Sequence, residues 1–183
     1  MPYLDRPDAR IYYEMDDFTD PWSKPQTLFL HHGHARSGRF WYPLVPLLAR
    51  HYRVVRIDAR AFGRSTVPPA GYPWTADVFI DDARAIMDHL NVDRAALVGE
   101  FLGNVVGMAF ALKHPDRLNA LIQFHPICSH ADVSDFPHTA GGENSGELRR
   151  SIEAEGLRAW SIKTLWHRLY VENELVLDPM CID

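Results

Sequence analysis

The chain has 183 residues, 46% of them hydrophobic and 23% charged, which is ordinary for a globular protein with one sizeable core. Its 19 Lys and Arg are interspersed with 24 Asp and Glu, and the formal net charge of −5 argues against nucleic-acid binding and favours small or neutral partners. No basic segment followed by an apolar stretch opens the chain, and no run approaches the ~20 apolar residues of a membrane span, so we expect a soluble, cytoplasmic protein.

Apolar runs and helical periodicities alternate along the first two thirds of the chain. This alternation predicts a mostly parallel sheet with crossover helices, that is, an α/β fold. In chain order, the predicted strands are residues 10–15, 27–31, 52–57, 94–98 and 118–124, and the predicted helices are residues 40–51, 77–90 and 102–114. The apolar side of the second helix is expected to carry Val78, Ala85, Ile86 and Leu90.

The composition changes after about Pro126, where Ser, Gly, His and Asp become frequent. Residues 148–170 then carry apolar side chains at helical spacing, including Trp160 and Trp166, which more often form the core of a lid than a substrate pocket. We therefore divide the chain into an α/β core, residues 1–128, and the start of a helical lid, residues 129–183.

The most informative segment lies between the fourth strand and the third helix, and we call residues 99–103 the elbow. Gly99 and Gly103 stand two positions before and after Phe101, with Glu100 and Leu102 between them. A sharp strand-to-helix turn needs such side-chain-free flanks, because strand and helix close on each other there. The centre of a catalytic turn of this kind is Ser, Cys or Asp, and Phe101 supplies no nucleophilic atom.

A second candidate segment, residues 31–38, follows the second predicted strand, and we call it the histidine loop. Gly33 lets its backbone bend, so the peptide N–H of His34 could serve an oxyanion together with the N–H of Leu102. A bend without chemistry is the alternative. A metal site at His31, His32 and His34 is rejected, since neighbouring residues on an extended segment point apart and no Cys or carboxylate joins them.

Other polar residues are assigned more modest roles. Asp58 and Arg60, after the third strand, are expected to brace neighbouring backbone. Glu100 is weighed as a substitute base or nucleophile, but its position beside the centre of the elbow directs it sideways. The dispersed histidines after the last strand are expected to be surface residues: His125, His130 and His138. Cys128 and Cys181 fit neither a disulfide framework nor a metal spacing.

Four motifs in this order resemble the α/β-hydrolase superfamily, in its lid-bearing esterase, enol-lactonase and epoxide-hydrolase-like branch. They are His32-Gly33 with Trp41 downstream, Asp58-x-Arg60-x-x-Gly63-x-Ser65, the Gly99 to Gly103 elbow, and His114-Pro115-Asp116-Arg117. The resemblance covers residues 10–170. It implies a serine-type hydrolase that acts on small apolar esters, lactones or similar carbonyl compounds without any cofactor.

Two departures from the family pattern bear on activity. The family's serine falls on Phe101, and the family's acid and histidine belong to later strands, whereas this chain ends inside what resembles the lid. We therefore expect the serine mechanism to be disabled. The alternatives are a non-catalytic pseudoenzyme that binds a small ligand and a fragment without independent function. The incomplete sheet would leave an edge open to self-association or to a completing partner.

Overall fold

The structure, a computed structural model, describes residues 2–124 together with residues 150 and 154. The chain divides into two units, Met1–Pro126 and Ile127–Asp183, and every element named below belongs to the first. Apart from residues 150 and 154, the predicted lid lies outside the described residues, and so do His125, His130 and His138. The domain boundary and the lid therefore stay predictions.

Six strands form one sheet in the described part of the chain: β1 (Tyr3–Arg6), β2 (Ala9–Asp16), β3 (Thr27–His31), β4 (Arg53–Ile57), β5 (Ala95–Glu100) and β6 (Leu118–Phe124). Their order across the sheet is β1-β2-β4-β3-β5-β6. β1 pairs with β2, and β2 with β4, in antiparallel fashion, while β4, β3, β5 and β6 are parallel. The predicted mostly parallel α/β sheet is confirmed.

The helices are α1 (Val45–Leu48), α2 (Ala76–His89) and α3 (Leu102–Lys113), with 3-10 helices at Gly38–Leu44 and Pro115–Arg117. The continuous helix predicted at residues 40–51 is wrong. Pro43 lies inside the first 3-10 helix and Pro46 at the start of α1, and neither has an N–H to donate to a continuous helix. Among the described helices, none is both long and apolar enough to cross a membrane.

Helices cover both faces of the sheet, so the alternating side chains of each strand enter two cores. On β3, Phe29 packs with α2 and α3, whereas Leu28 and Leu30 pack beneath α1 and the first 3-10 helix. The larger core includes Val55, Ile57, Leu97, Ile80, Ile86, Met87, Val106 and Phe110, and the smaller includes Trp41, Val45, Val54, Ala96 and Val98. Two apolar faces explain why β3 is buried along its whole length.

The inward side of α2 differs from the prediction and includes a carboxylate. Its buried residues are Ile80, Asp82, Ala83, Ile86 and Met87, whereas Val78, Ala85 and Leu90 are only half-buried. Asp82 faces inward because Arg60 donates to both of its carboxylate oxygens at 2.9 Å. Arg60 also donates to Asp8. The expectation that Arg60 braces backbone is therefore wrong, since its guanidinium holds two carboxylates instead.

Candidate functional site

The candidate site lies where the strand order reverses, at the carboxyl end of β3. β3 pairs with β4 on one side and with β5 on the other, both in parallel register, and His31 stands opposite Gly99. The histidine loop and the elbow therefore leave the same edge of the sheet side by side. In open α/β sheets, ligands bind in the crevice at the carboxyl ends of strands at such a switch point.

Phe101 has the strained backbone of a nucleophile turn although it carries no nucleophile. Its φ of +45° and ψ of −104° place it in a region that costs a non-glycine residue roughly 1–3 kcal/mol. The residue lies between the end of β5 and the start of α3, and its carbonyl accepts the N–H of Asn104 at 2.9 Å. The backbone shape of the elbow is thus retained around an aromatic side chain.

The two flanking glycines explain how this shape is held. A Cβ on Gly99 would lie 2.4 Å from the carbonyl oxygen of Gly103, and a Cβ on Gly103 would lie 2.2 Å from the carbonyl oxygen of His31. Both contacts are with backbone, so no side-chain rotation could relieve them. The close approach predicted for these glycines is confirmed, and it fixes α3 against β3 as well as against β5.

Two histidines of the histidine loop, His31 and His32, are buried, neutral side chains, whereas His34 is exposed. Nδ1–H of His32 donates to the Gly33 carbonyl at 2.7 Å, while its Nε2 accepts the N–H of Ala59 at 2.9 Å. Burial lowers the pKa of His32 to about 3 and that of His31 to about 4, and it also lowers the pKa of His34. His32 uses both ring nitrogens within the protein, which leaves neither for a metal ion.

Glu100 points from the elbow towards the histidine loop. A Cβ on Gly33 would lie 1.9 Å from Glu100 Oε2, so Gly33 is the residue that leaves room for this carboxylate. Glu100 is 1% exposed, and the nearest described cation is Arg36, whose Nη2 lies 3.8 Å from Glu100 Oε1. This sideways, buried placement does not fit a substitute nucleophile, which has to meet the substrate.

Asp58 organises the loop after β4, as the sequence predicts. Its carboxylate accepts the N–H of Gly38 at 2.7 Å and the N–H of Arg64 at 2.9 Å, and Ser65 Oγ donates to its carbonyl at 2.6 Å. Burial raises the pKa of Asp58, while these N–H donors act in the opposite direction. Asp58 therefore joins the start of the first 3-10 helix to the following loop and does not face the elbow.

The structure brings most of the predicted site residues to one place. Gly33 and Glu100 are in contact, and Gly99, Phe101 and Gly103 form the turn beside them. The ring of His34 packs against Phe62, with centroids 5.4 Å apart, and Leu102 begins α3 directly after the elbow. The role of the His34 and Leu102 N–H groups as oxyanion donors stays a prediction.

Sequence reasoning missed two polar residues of the site. Asn104 is fully buried and donates from Nδ2 to the carbonyl of Phe124 at 2.7 Å, which joins the start of α3 to the end of β6. Arg36 lies beside Glu100. The signals were present in the sequence, because Asn104 is the one polar residue of residues 102–112 and Arg36 is the sole Arg or Lys in residues 31–37.

Comparisons with known proteins agree with this geometry. The family described as the alpha/beta hydrolase fold matches residues 26–142. A protein of Caulobacter sp. (strain K31) named "Putative carbamate hydrolase RutD" is 39% identical over 112 residues, which are 61% of this chain and 41% of the relative. The chain spans about 40% of the length of the curated relatives it matches.

Two solved structures share the arrangement of the described elements. A hydrolase from Pseudomonas aeruginosa PA01 is 34% identical with a TM-score of 0.59, over 65% of this chain and 43% of that protein. The enol-lactonase from Burkholderia xenovorans LB400 is 28% identical with a TM-score of 0.60, over 66% of this chain and 45% of that protein. Both matches therefore cover less than half of the solved protein.

Proposed function

Because this chain belongs to the α/β-hydrolase fold family, we propose that it carries the elbow of a hydrolase site for carboxylic ester or lactone bonds, and that Phe101 disables the serine mechanism there. The observation that carries the proposal is the backbone of Phe101, whose φ of +45° and ψ of −104° keep the shape of a nucleophile turn. The similarity to an enol-lactonase and to a protein named as a carbamate hydrolase supports acyl chemistry of this class.

The ancestral reaction follows from a serine at the position of Phe101. Its hydroxyl oxygen would bond to the acyl carbon, its proton would pass to a base, and the carbonyl oxygen would become an oxyanion. The N–H groups of His34 and Leu102 would then donate to that oxyanion. The Leu102 N–H suits this role, because the first N–H groups of a helix have no partner within the helix. The carbonyl would then re-form as the bond to the ester or lactone oxygen breaks, and the protonated base would pass its proton to that leaving oxygen. A water molecule deprotonated by the same base would finally release the acid and restore the serine hydroxyl.

A non-catalytic function is the second candidate, and the side chain of Phe101 favours it. A half-buried aromatic ring at the turn adds apolar surface to the crevice and cannot attack a carbonyl carbon. Such a crevice suits the apolar part of a small ester or lactone, bound as a ligand rather than as a substrate. Ligand-dependent thermal stabilisation without turnover is the behaviour expected of this pseudoenzyme.

The experiment compares three versions of one chimera. In each chimera, this chain supplies the region matched by the Burkholderia xenovorans enol-lactonase, and the enol-lactonase supplies the remaining C-terminal region of the fold. Position 101 is Phe, Ser or Ala. Hydrolysis of a short p-nitrophenyl ester series is measured on chimeras shown by circular dichroism to be folded. We expect turnover only from the Phe101→Ser version, while Phe101→Ala controls for removal of the aromatic ring.

The possible results separate the two candidates. An inactive, folded Phe101→Ser chimera would contradict the hydrolase proposal and favour the ligand-binding function. Turnover by the version that keeps Phe101 would contradict the disabled mechanism. Turnover by Phe101→Ala equal to that of Phe101→Ser would show that a serine at the elbow is not the nucleophile.

A further inference from the structure

Arg36 places a cation in the crevice between the histidine loop and the elbow. Its side chain is 21% exposed, and its guanidinium carbon lies 4.2 Å from the centre of the Phe40 ring. Its Nη2 is 3.8 Å from Oε1 of Glu100, the residue that precedes Phe101 in the elbow. Stacking on Phe40 holds the plane of the guanidinium while leaving its N–H edge available to bind an acceptor.

Two more deeply buried arginines of this protein, Arg56 and Arg60, show how a guanidinium group is stabilised in its interior. Arg56 is 2% exposed, and it donates from Nε to Asp16 at 2.9 Å and from Nη2 to Glu14 at 2.5 Å. Arg60 is 3% exposed and is held by the two carboxylates described above. Each of these guanidinium groups therefore binds two carboxylates at hydrogen-bond distance.

Arg36 differs from both of these arginines. Its contact with Glu100 is longer than a hydrogen bond, and within the described residues its five N–H donors make no hydrogen bond. Glu100 is confined against Gly33, so its carboxylate has little room to change position. The neighbouring histidines are neutral, which leaves Arg36 as the cation of residues 31–37.

We propose that Arg36 binds the carboxylate of an acidic ester or lactone, so that the ligands of this crevice carry a negative charge in addition to the acyl bond. This inference rests on the proposed function, because it names the substrate class of the same site. The planar fork of a guanidinium matches a carboxylate with two parallel hydrogen bonds. The ligand carboxylate would then make the hydrogen bonds that Glu100, at 3.8 Å, does not make to Arg36.

The test measures binding by the unmodified chain, with Phe101 in place, so that it does not depend on turnover. The probes are monomethyl adipate and dimethyl adipate, which share a carbon skeleton and differ in one carboxylate. We expect isothermal titration at neutral pH to show tighter binding of monomethyl adipate. Arg36→Gln should weaken that binding about 10- to 100-fold, as expected for charge-assisted hydrogen bonds, and should leave dimethyl adipate unchanged.

Two further variants control the experiment. Arg84→Gln removes a cation from the exposed side of α2 and should change neither affinity. Arg36→Lys keeps the charge but not the fork, so it should bind monomethyl adipate with intermediate affinity. If circular dichroism shows that Arg36→Gln does not fold, the comparison is made with Arg36→Lys.

The inference is overturned if the unmodified chain binds the two probes equally, if it binds neither up to their solubility limits, or if the Arg36 variants keep the full preference for monomethyl adipate. These results differ from a failure of the proposed function. An inactive Phe101→Ser chimera would remove the hydrolase proposal while leaving the charge preference measurable, and an active chimera whose parent chain shows no Arg36-dependent preference would remove this inference alone.

Discussion

Replacing Gly103 with Ala should destabilise the protein through a single contact between α3 and β3. The added Cβ would lie 2.2 Å from the carbonyl oxygen of His31, about 1 Å closer than a methyl group tolerates. β3 cannot yield, since β4 and β5 pair with it on both sides. We expect overpacking to cost about 3 kcal/mol, offset by about 1 kcal/mol from the better helix propensity of Ala.

Gly107→Ala is the matched control, because it brings the same gain in helix propensity to the same helix. Its Cβ would meet Leu121 Cδ1 at 2.7 Å and Leu97 Cδ2 at 2.9 Å, and these methyl groups can turn away. We expect its free energy of unfolding to stay within about 1 kcal/mol of the original value. Urea unfolding followed by tryptophan fluorescence gives both values, and equal midpoints for the two variants would refute the reasoning.

Two further predictions concern buried ionisable groups. Acid should destabilise the fold below about pH 6.5, because the pKa of His32 is lowered to about 3 and the unfolded chain binds a proton that the folded chain does not, at a cost of about 2 kcal/mol at pH 5. The melting temperature of His32→Asn should therefore depend less on pH, and an unaltered slope in His32→Asn would contradict the assignment. Asp82→Ala should cost about 3–5 kcal/mol because Arg60 loses its buried bidentate partner, while Asp8→Ala, at a half-exposed carboxylate, should cost less than about 1 kcal/mol. Equal losses in a urea titration would show that burial does not decide the strength of these ion pairs.

The success of the strand predictions depended on how clearly each run was bounded. β3 and β6 have the predicted limits, since β3 is a short apolar run that ends before Gly33 and β6 is a mostly apolar segment that directly follows His114-Pro115-Asp116-Arg117. β1 was not predicted, because its four residues mix apolar and charged side chains and it is paired only through the β1–β2 hairpin. The helix at residues 40–51 failed because helical spacing was given more weight than Pro43 and Pro46.

The sequence predicted the features of the site that depend on neighbouring residues and missed those that depend on residues far apart in the chain. The glycines of the elbow were recognisable because a strand-to-helix turn is a local event. Asp82 could not be placed inward from the sequence, since its partner Arg60 comes from another loop. Arg36 and Glu100 likewise meet only through the register of β3 and β5. Periodicity contains no information on such pairs.

The backbone packing of the elbow has a consequence for substitutions at position 101. The turn depends on backbone packing at Gly99 and Gly103, whose closest neighbours are the backbone of Gly103 and of His31. At this point of the chain, the glycines allow the close backbone packing, and the side chain at position 101 decides whether a nucleophile is present. An exchange of the apex residue for another would leave these backbone contacts in place. For the same reason, the apex is a natural place to introduce a thiol or a carboxylate by design.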